Sequence, residues 1–324
     1  MSDTMKVLVA YDGSACADAA LDDLKRAGFP LGVEAVVISV TEIWLPPPPP
    51  SSLEILADAE QVHVPADLQK IYMRNSKAME QVRAMAERAR DRLRGNFPGW
   101  QVTTEASCGS PAWEIISKAD TWNPDLVVVG SHGRSALGRL VLGSVSQKVL
   151  VEARTSVRIA RGRVEVDTSP VRVVVAVDGS DGATAAVNAV AGRSWPEGSE
   201  VRVIIVEDPL VPTAVGRLVP PVARIIEESN EEDLEWVQRT AEEAAAKLRV
   251  GGLTVSQAIE YGDPKSVVVE QAEKWGADSI FVGSTRFSSH LSRFLLGSVS
   301  SAIAARAHCS VEVVRSPQPT SQPV

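Results

Sequence analysis

Leu126-Val127-Val128-Val129-Gly130-Ser131-His132-Gly133, running on to Gly143-Ser144, is the stretch from which the fold can be read. Leu126–Val129 is a short apolar, β-branched run, as expected of a strand buried on both faces. It ends at Gly130. Two residues separate Gly130 from Gly133, and nine more precede Gly143. Ser144-Val145-Ser146-Gln147-Lys148-Val149-Leu150 then reads as the opening of a helix. A buried strand therefore empties into a glycine-hinged loop that returns to a helix N-terminus. Glycines let backbone N–H groups approach closely. The first helical turn offers unpaired donors and the positive end of the dipole. Such a geometry suits a polyphosphate.

The chain has 324 residues, enough for two domains, and is 44% hydrophobic and 23% charged. It contains no apolar run long enough to span a bilayer. Val7–Ala10 is too short for a signal-peptide core, so a cytoplasmic location is expected. Cys16, Cys108 and Cys309 are scattered without a CxxC pair and read as reduced thiols or small core residues rather than a disulfide frame or a zinc site; the four histidines show no ligand spacing. The net charge of −8 argues against a nucleic-acid partner. It also means that any anion site must act locally. Residues 130–163 carry Arg134, Arg139, Lys148, Arg154, Arg158, Arg161 and Arg163 against Glu152, seven minus one, or +6.

Reading outward, Lys6–Tyr11 is a first strand followed by Asp12-Gly13-Ser14, where Asp12 or Ser14 can cap the next helix. Glu34–Val40 is a second strand. Pro46–Pro50 admits only polyproline II or loop, read as a surface spacer or lid, with a proline-recognition ligand as the alternative. Ala66–Arg94 is a long amphipathic helix whose methionines fill core. Gln101–Ala106 and Ser156–Ala160 are the third and fifth strands around Leu126–Val129.

The pattern then repeats. Val171–Val177 with Asp178-Gly179-Ser180 copies the first strand and its turn, and Glu200–Val206 copies Glu34–Val40. Ser279–Val282 with Gly283 copies Leu126–Gly130, Leu296–Ser300 copies Leu142–Ser146 letter for letter, and Ser310–Val314 copies Ser156–Ala160. The expected organisation is one domain over 1–163, a second over 170–316 and a tail over 317–324. Five strands alternating with helices in each half predict an α/β fold: two tandem Rossmann-like domains, each a parallel sheet with helices on both faces. Ligands of such sheets sit beyond the strand C-termini, where the strand order reverses. Both special loops lie at strand C-terminal ends.

With these motifs, Val9-Ala10-Tyr11-Asp12-Gly13-Ser14 and Gly130-x2-Gly133-x9-Gly143-Ser144, the chain resembles the universal stress protein family in its tandem two-domain form. The resemblance covers nearly the whole chain. It implies a sheet ordered 3-2-1-4-5 and an ATP pocket, with Mg as a possible companion ion. By that analogy Asp12 contacts adenosine, and Ala10 and Val40 line the adenine. Gly130, Ser131, His132, Gly133, Arg134 and Ser135 wrap ribose and phosphates, while Gly143, Ser144 and Val145 present donors to the phosphates. Asp178, Val206, Gly283, Gly297 and Ser298 are the corresponding positions of the second half. The fifth strands are expected to pair edge to edge, within the chain or in a homodimer.

The second half departs from the pattern. Arg286 stands where the family has glycine, and ten residues rather than nine precede Gly297. An Arg there could fill the phosphate space. The expectation is that the first half binds ATP and the second binds it weakly or not at all.

Plainer readings stand beside these. The glycine loop could be a simple strand–helix connection, Asp12 a helix cap, His132 a loop residue without chemistry, and Arg134 and Arg139 solvated surface. The acidic run Glu227–Glu243 reads as a solvated helix face rather than a metal site. Three functions follow: an ATP-binding regulatory protein in the stress response, without enzymatic activity; a weak ATPase or autophosphorylating enzyme, for which Ser135, Ser144 and His132 are the nearby groups; or a scaffold that has lost nucleotide binding.

Overall fold

The computed structural model describes residues 4–43, 66–132, 142–161, 170–207, 220–284 and 296–316. Pro46–Pro50, Gly133, Arg134, Ser135, Arg286, the connection 162–169 and the tail 317–324 lie outside the described residues.

The N-terminal half runs β1 (Met5–Ala10), α1 (Ala15–Asp23), a 3-10 turn (Leu24–Arg26), β2 (Val33–Thr41), α2 (Ala66–Asn96), β3 (Gln101–Cys108), α3 (Pro111–Trp122), β4 (Leu126–Gly130), α4 (Ser144–Glu152) and β5 (Ser156–Ala160). The C-terminal half repeats this as β6 (Arg172–Ala176), α5 (Asp181–Ala191), β7 (Glu200–Glu207), α6 (Pro220–Val250), β8 (Thr254–Tyr261), α7 (Pro264–Trp275), β9 (Ser279–Ser284), α8 (Ser298–Arg306) and β10 (Ser310–Arg315).

Each half is a parallel sheet in the order 3-2-1-4-5 (β3-β2-β1-β4-β5 and β8-β7-β6-β9-β10), as the resemblance implied. The two sheets also merge into one ten-stranded sheet, β3-β2-β1-β4-β5-β10-β9-β6-β7-β8. The seam is the antiparallel pair β5–β10, with Ile159 opposite Val311, Arg158 opposite Glu312 and Val157 opposite Val313.

Why these strands are central follows from their side chains. Leu126, Val127, Val128 and Val129 are all buried, so β4 is covered on both faces. Burying each such side chain stabilises by about 1.5–3 kcal/mol. The cover is arranged differently on the two faces. On one face α3, α4, α7 and α8 pack over a core that runs without a break through the seam, from Leu8 and Ile38 through Val157, Ile159, Val311 and Val313 to Ile280 and Ile204. On the other face there are two separate cores. One lies under α1 and α2 around Leu21, Leu24 and Leu93, the other under α5 and α6 around Val187, Val190 and Leu248. Because side chains alternate along a strand, Val157 and Ile159 join the continuous core and Arg158 is left on the divided face.

No helix among the described residues is long and apolar enough to cross a membrane.

Candidate functional site

The site forms where β2, β1 and β4 end side by side. β1 pairs with β2 from Met5↔Val33 to Ala10↔Ile38, and with β4 through Val7↔Leu126, Leu8↔Val127 and Val9↔Val128. Beyond the ladder the chain is held by two further bonds. The Tyr11 N–H donates to the Ile38 carbonyl at 2.9 Å. The buried Ser39 hydroxyl donates to the Tyr11 carbonyl at 2.7 Å. Asp12-Gly13-Ser14 then turns the chain. Gly13 has φ +72°, a conformation that favours glycine. Asp12 Oδ1 accepts the Ser14 N–H at 3.0 Å, and Ser14 Oγ caps α1 by accepting the Ala17 N–H at 3.1 Å. Of the two cap candidates, Ser14 is the cap, and Asp12 shapes the turn before it.

On the β4 side, Gly130 lies against the N-terminus of α1. A Cβ built on it would stand 3.4 Å from the Cys16 backbone, ordinary contact distance or nearly so. The Ser146 hydroxyl, one turn into α4, donates to the Gly130 carbonyl at 2.6 Å. The Gly143 N–H donates to the Ser131 carbonyl at 2.9 Å, so the start of α4 is fastened to the end of β4. Gly143 is the N-cap of α4 and offers its first turn no side chain. Ser131 is buried, and its Oγ lies 3.0 Å from His132 Nδ1. His132 Nε2 is buried with no hydrogen-bond partner among the described residues. Ala10, Val40 and Val145 are half-buried apolar residues against the continuous core.

The described residues thus bring Ala10, Asp12, Val40, Gly130, Ser131, His132, Gly143, Ser144 and Val145 to one end of the sheet. Tyr11, beside them, has its phenol pushed up to about 12 by burial and by a hydrogen bond to the Asp18 carboxylate at 2.7 Å.

The second half keeps the same wiring. Ser300 Oγ donates to the Gly283 carbonyl at 2.7 Å, Gly297 is the N-cap of α8, and Val177 N–H donates to Ile204 O at 2.9 Å. Ser180 caps α5, and Asp178 Oδ1 accepts both the N–H and the hydroxyl of Ser180, at 3.0 and 2.6 Å. The space between the two loops differs. Gly182 replaces Cys16, and α5 presses onto the end of β9 so closely that a methyl on Gly283 would overlap the backbone of Gly182 and Ala183. Trp236 from α6 covers the turn, and a methyl on Gly179 would overlap its ring.

One part of the charge reading is corrected. Arg158 and Arg161, counted among the cations around the loop, belong to the seam. Arg158 is fully buried between Asp23 and Glu312, and Arg161 donates to the Ala304 and Cys309 carbonyls of the other half. Their charge is engaged there because β5 is the strand along which the halves join. Sequence reasoning also missed Ser39 and Ser146, the hydroxyls that fasten the loop ends. The letter-for-letter repeat of Ser146 at Ser300 was the available signal for one of them.

Residues 4–161 and 171–315 each match the universal stress protein family. The chain belongs to the universal stress protein family. Among its curated relatives, a universal stress protein of Methanocaldococcus jannaschii is 32% identical over 149 residues, 45% of this chain and 83% of the relative. One from Mycolicibacterium smegmatis is 29% identical over 222 residues, 68% of this chain and 71% of the relative. One from Mycobacterium tuberculosis is 39% identical over 85 residues, spanning only 28% of that relative. Among solved structures, a universal stress protein from Archaeoglobus fulgidus superposes with TM-score 0.62 at 23% identity, over 97% of this chain and 99% of that one. A protein from Pseudomonas aeruginosa superposes with TM-score 0.58 at 14% identity. At such identities these structures speak for the fold: both halves, in tandem, belong to one architecture.

Proposed function

We propose that this universal stress protein is an ATP-binding regulatory protein whose nucleotide sits in the N-terminal half, and that residues 1–163 and 170–316 act as its two domains. The observation that carries the reading is the convergence at the ends of β1, β2 and β4. Asp12, Val40 and the Gly130–His132 segment meet there with the start of α4, whose N-cap is a glycine, beside a buried imidazole nitrogen with no partner among the described residues. The residues present fit a nucleotide. Ala10, Val40 and Val145 provide an apolar wall for a base. Asp12 provides a carboxylate for a sugar hydroxyl. Ser144, Val145 and their N–H groups provide donors for phosphate at a helix N-terminus. His132 Nε2 gains a partner if a polar ligand enters. Gly133, Arg134 and Ser135 belong to the same proposed set.

In the second half the corresponding proposed set is Asp178, Val206, Gly283, Gly297 and Ser298. The close approach of Gly182 to Gly283 and the cover of Trp236 favour weak binding or none there. ATP bound in one half only would make the two ends of the long sheet unequal, a difference that a partner protein can read.

Mass spectrometry of the purified protein for co-purifying nucleotide, followed by calorimetric titration of ATP with and without Mg²⁺, tests the reading. Saturable binding of one ATP per chain is expected. Absence of binding, or two equal sites, would overturn it. Hydrolysis that depends on Gly143 in a turnover assay would move the reading to the enzymatic alternative.

A further inference from the structure

On the divided face of the sheet the seam is crossed by charge. Arg158 is fully buried; Glu312 is 1% exposed and sits directly opposite it in the register. Arg158 Nε donates to Asp23 Oδ2 at 2.8 Å, and its Nη1 to Glu312 Oε2 at 3.4 Å. Glu312 Oε1 accepts from Arg193 Nη2. The signs alternate across the seam: Asp23, Arg158, Glu312, Arg193. Burial works against the Arg158 charge, yet the Asp23 and Glu312 carboxylates hold the guanidinium above its ordinary range. Burial pulls Arg193 down, with Glu312 opposing it.

The repeat gives this pair a special place. Ser156–Ala160 corresponds to Ser310–Val314, so Arg158 and Glu312 occupy the same position in their respective halves. The register pairs Val157 with Val313 and Ile159 with Val311, and is therefore symmetric about Arg158–Glu312. Contacts further out obey the same symmetry. Arg161 donates to the carbonyls of Ala304 and Cys309 at 2.6 and 3.3 Å, and its counterpart Arg315 donates to those of Leu150 and Thr155 at 2.5 and 2.7 Å. The Arg161 N–H meets Ser310 Oγ at 2.8 Å, and the Arg315 N–H meets Ser156 Oγ at 3.1 Å.

These outer contacts are self-complementary. They would form equally well if β5 met a second β5, or β10 a second β10. The centre would not. Two copies of β5 place Arg158 against Arg158, and two copies of β10 place Glu312 against Glu312, at a position closed to solvent, where each charge keeps the Asp23 or Arg193 of its own half but meets its like across the seam. Charge in such a site discriminates more than it stabilises.

We propose that Arg158–Glu312 is a pairing-specificity device: the β5 edge accepts a strand edge carrying a carboxylate at this position and rejects its own kind. The partner it fits is the C-terminal half of this chain, which keeps the tandem protein from assembling through like halves of two copies.

The test uses the full chain with a protease site introduced within residues 162–169, cut after folding and followed by native mass spectrometry as the halves exchange. Unlike pairs are expected to exceed like pairs by about a hundredfold or more in the cut wild type. R158Q/E312Q keeps hydrogen-bonding groups beside Asp23 and Arg193 but removes the opposed charges. It is expected to drift to a near-statistical mixture. R158K/E312D disturbs the geometry, keeps the charges and is expected to stay selective. Like pairs at statistical abundance in the wild type, or undiminished selectivity in R158Q/E312Q, would overturn the proposal. Should R158Q/E312Q fail to give soluble uncut protein, E312Q carries the test. Pairs of two C-terminal halves are then expected to rise about tenfold, and an unchanged level overturns the proposal.

Discussion

The two halves of the chain share strand order, turn chemistry and helix caps, yet they treat the space between their two loops differently. At the end of β4 the backbone of α1 stands off Gly130 at ordinary contact distance. At the end of β9 the backbone of α5 lies on Gly283 with no room for a methyl group. One exchange in the repeat, Cys16 in the first copy and Gly182 in the second, accompanies the closure. The two copies of the strand end thus differ in how closely the helix that follows the Asp-Gly-Ser turn packs onto them. The seam differs in the same manner. Its flanks are symmetric, while its centre holds an arginine from one copy and a glutamate from the other.

The largest effect is expected at that centre. Glu312→Ala leaves Arg158 and Arg193 buried with Asp23 as their remaining carboxylate, and should cost about 3–5 kcal/mol in urea unfolding. A loss below about 1 kcal/mol would mean that the charged centre is not what sets the halves apart. Next comes the glycine pair. Gly283→Ala should destabilise by about 3 kcal/mol, because backbone must move, and Gly130→Ala by about 1 kcal/mol or less. Equal losses in thermal melts would remove the structural basis for unequal crevices.

Binding sharpens the comparison further. Gly143→Asp should weaken ATP at least about tenfold by calorimetry, since a carboxylate would face the phosphates. Gly297→Asp should leave affinity unchanged, and the opposite pattern would put the nucleotide in the second half. The smallest effect is spectroscopic. Tyr11 has Val177 as its counterpart, so one phenol at this position should titrate near 12 in ultraviolet absorbance and vanish in Tyr11→Phe. Because its pKa is raised from 10, the stability that it contributes is complete below pH 10 and is lost as the pH rises toward about 12. Normal titration of every tyrosine would contradict the buried Tyr11–Asp18 pair.

Much of this architecture was legible before the structure. The paired Asp-Gly-Ser turns and the duplicated Leu-Gly-Ser-Val-Ser segment marked the repeat. The β-branched runs marked the central strands, because burial on both faces leaves no polar alternation. The order within each half came through family resemblance, since spacing says nothing about neighbours in a sheet. The pairing of the fifth strands that merges the sheets was also implied by the resemblance, while the side chains that meet there were not. Ser156–Ala160 alternates like a strand with one wet face, and Arg158 therefore looked like a cation beside the loop. Its partner lies 154 residues away, beyond the reach of any local pattern. Gly182 was visible as a departure from the repeat, but its meaning depends on Gly283 meeting it across the fold.

That sequence separation has an expected kinetic consequence. Each half can assemble from neighbouring strands and helices, whereas β5 and β10 must find each other after a long loop has closed, a slow step in folding. Until then two strand edges stand open on a newly made chain, each with a hydrated charge at its middle. Charge at an open edge discourages pairing with strangers. Arg158 and Glu312 are thus placed to protect the nascent chain from its neighbours before they join its halves.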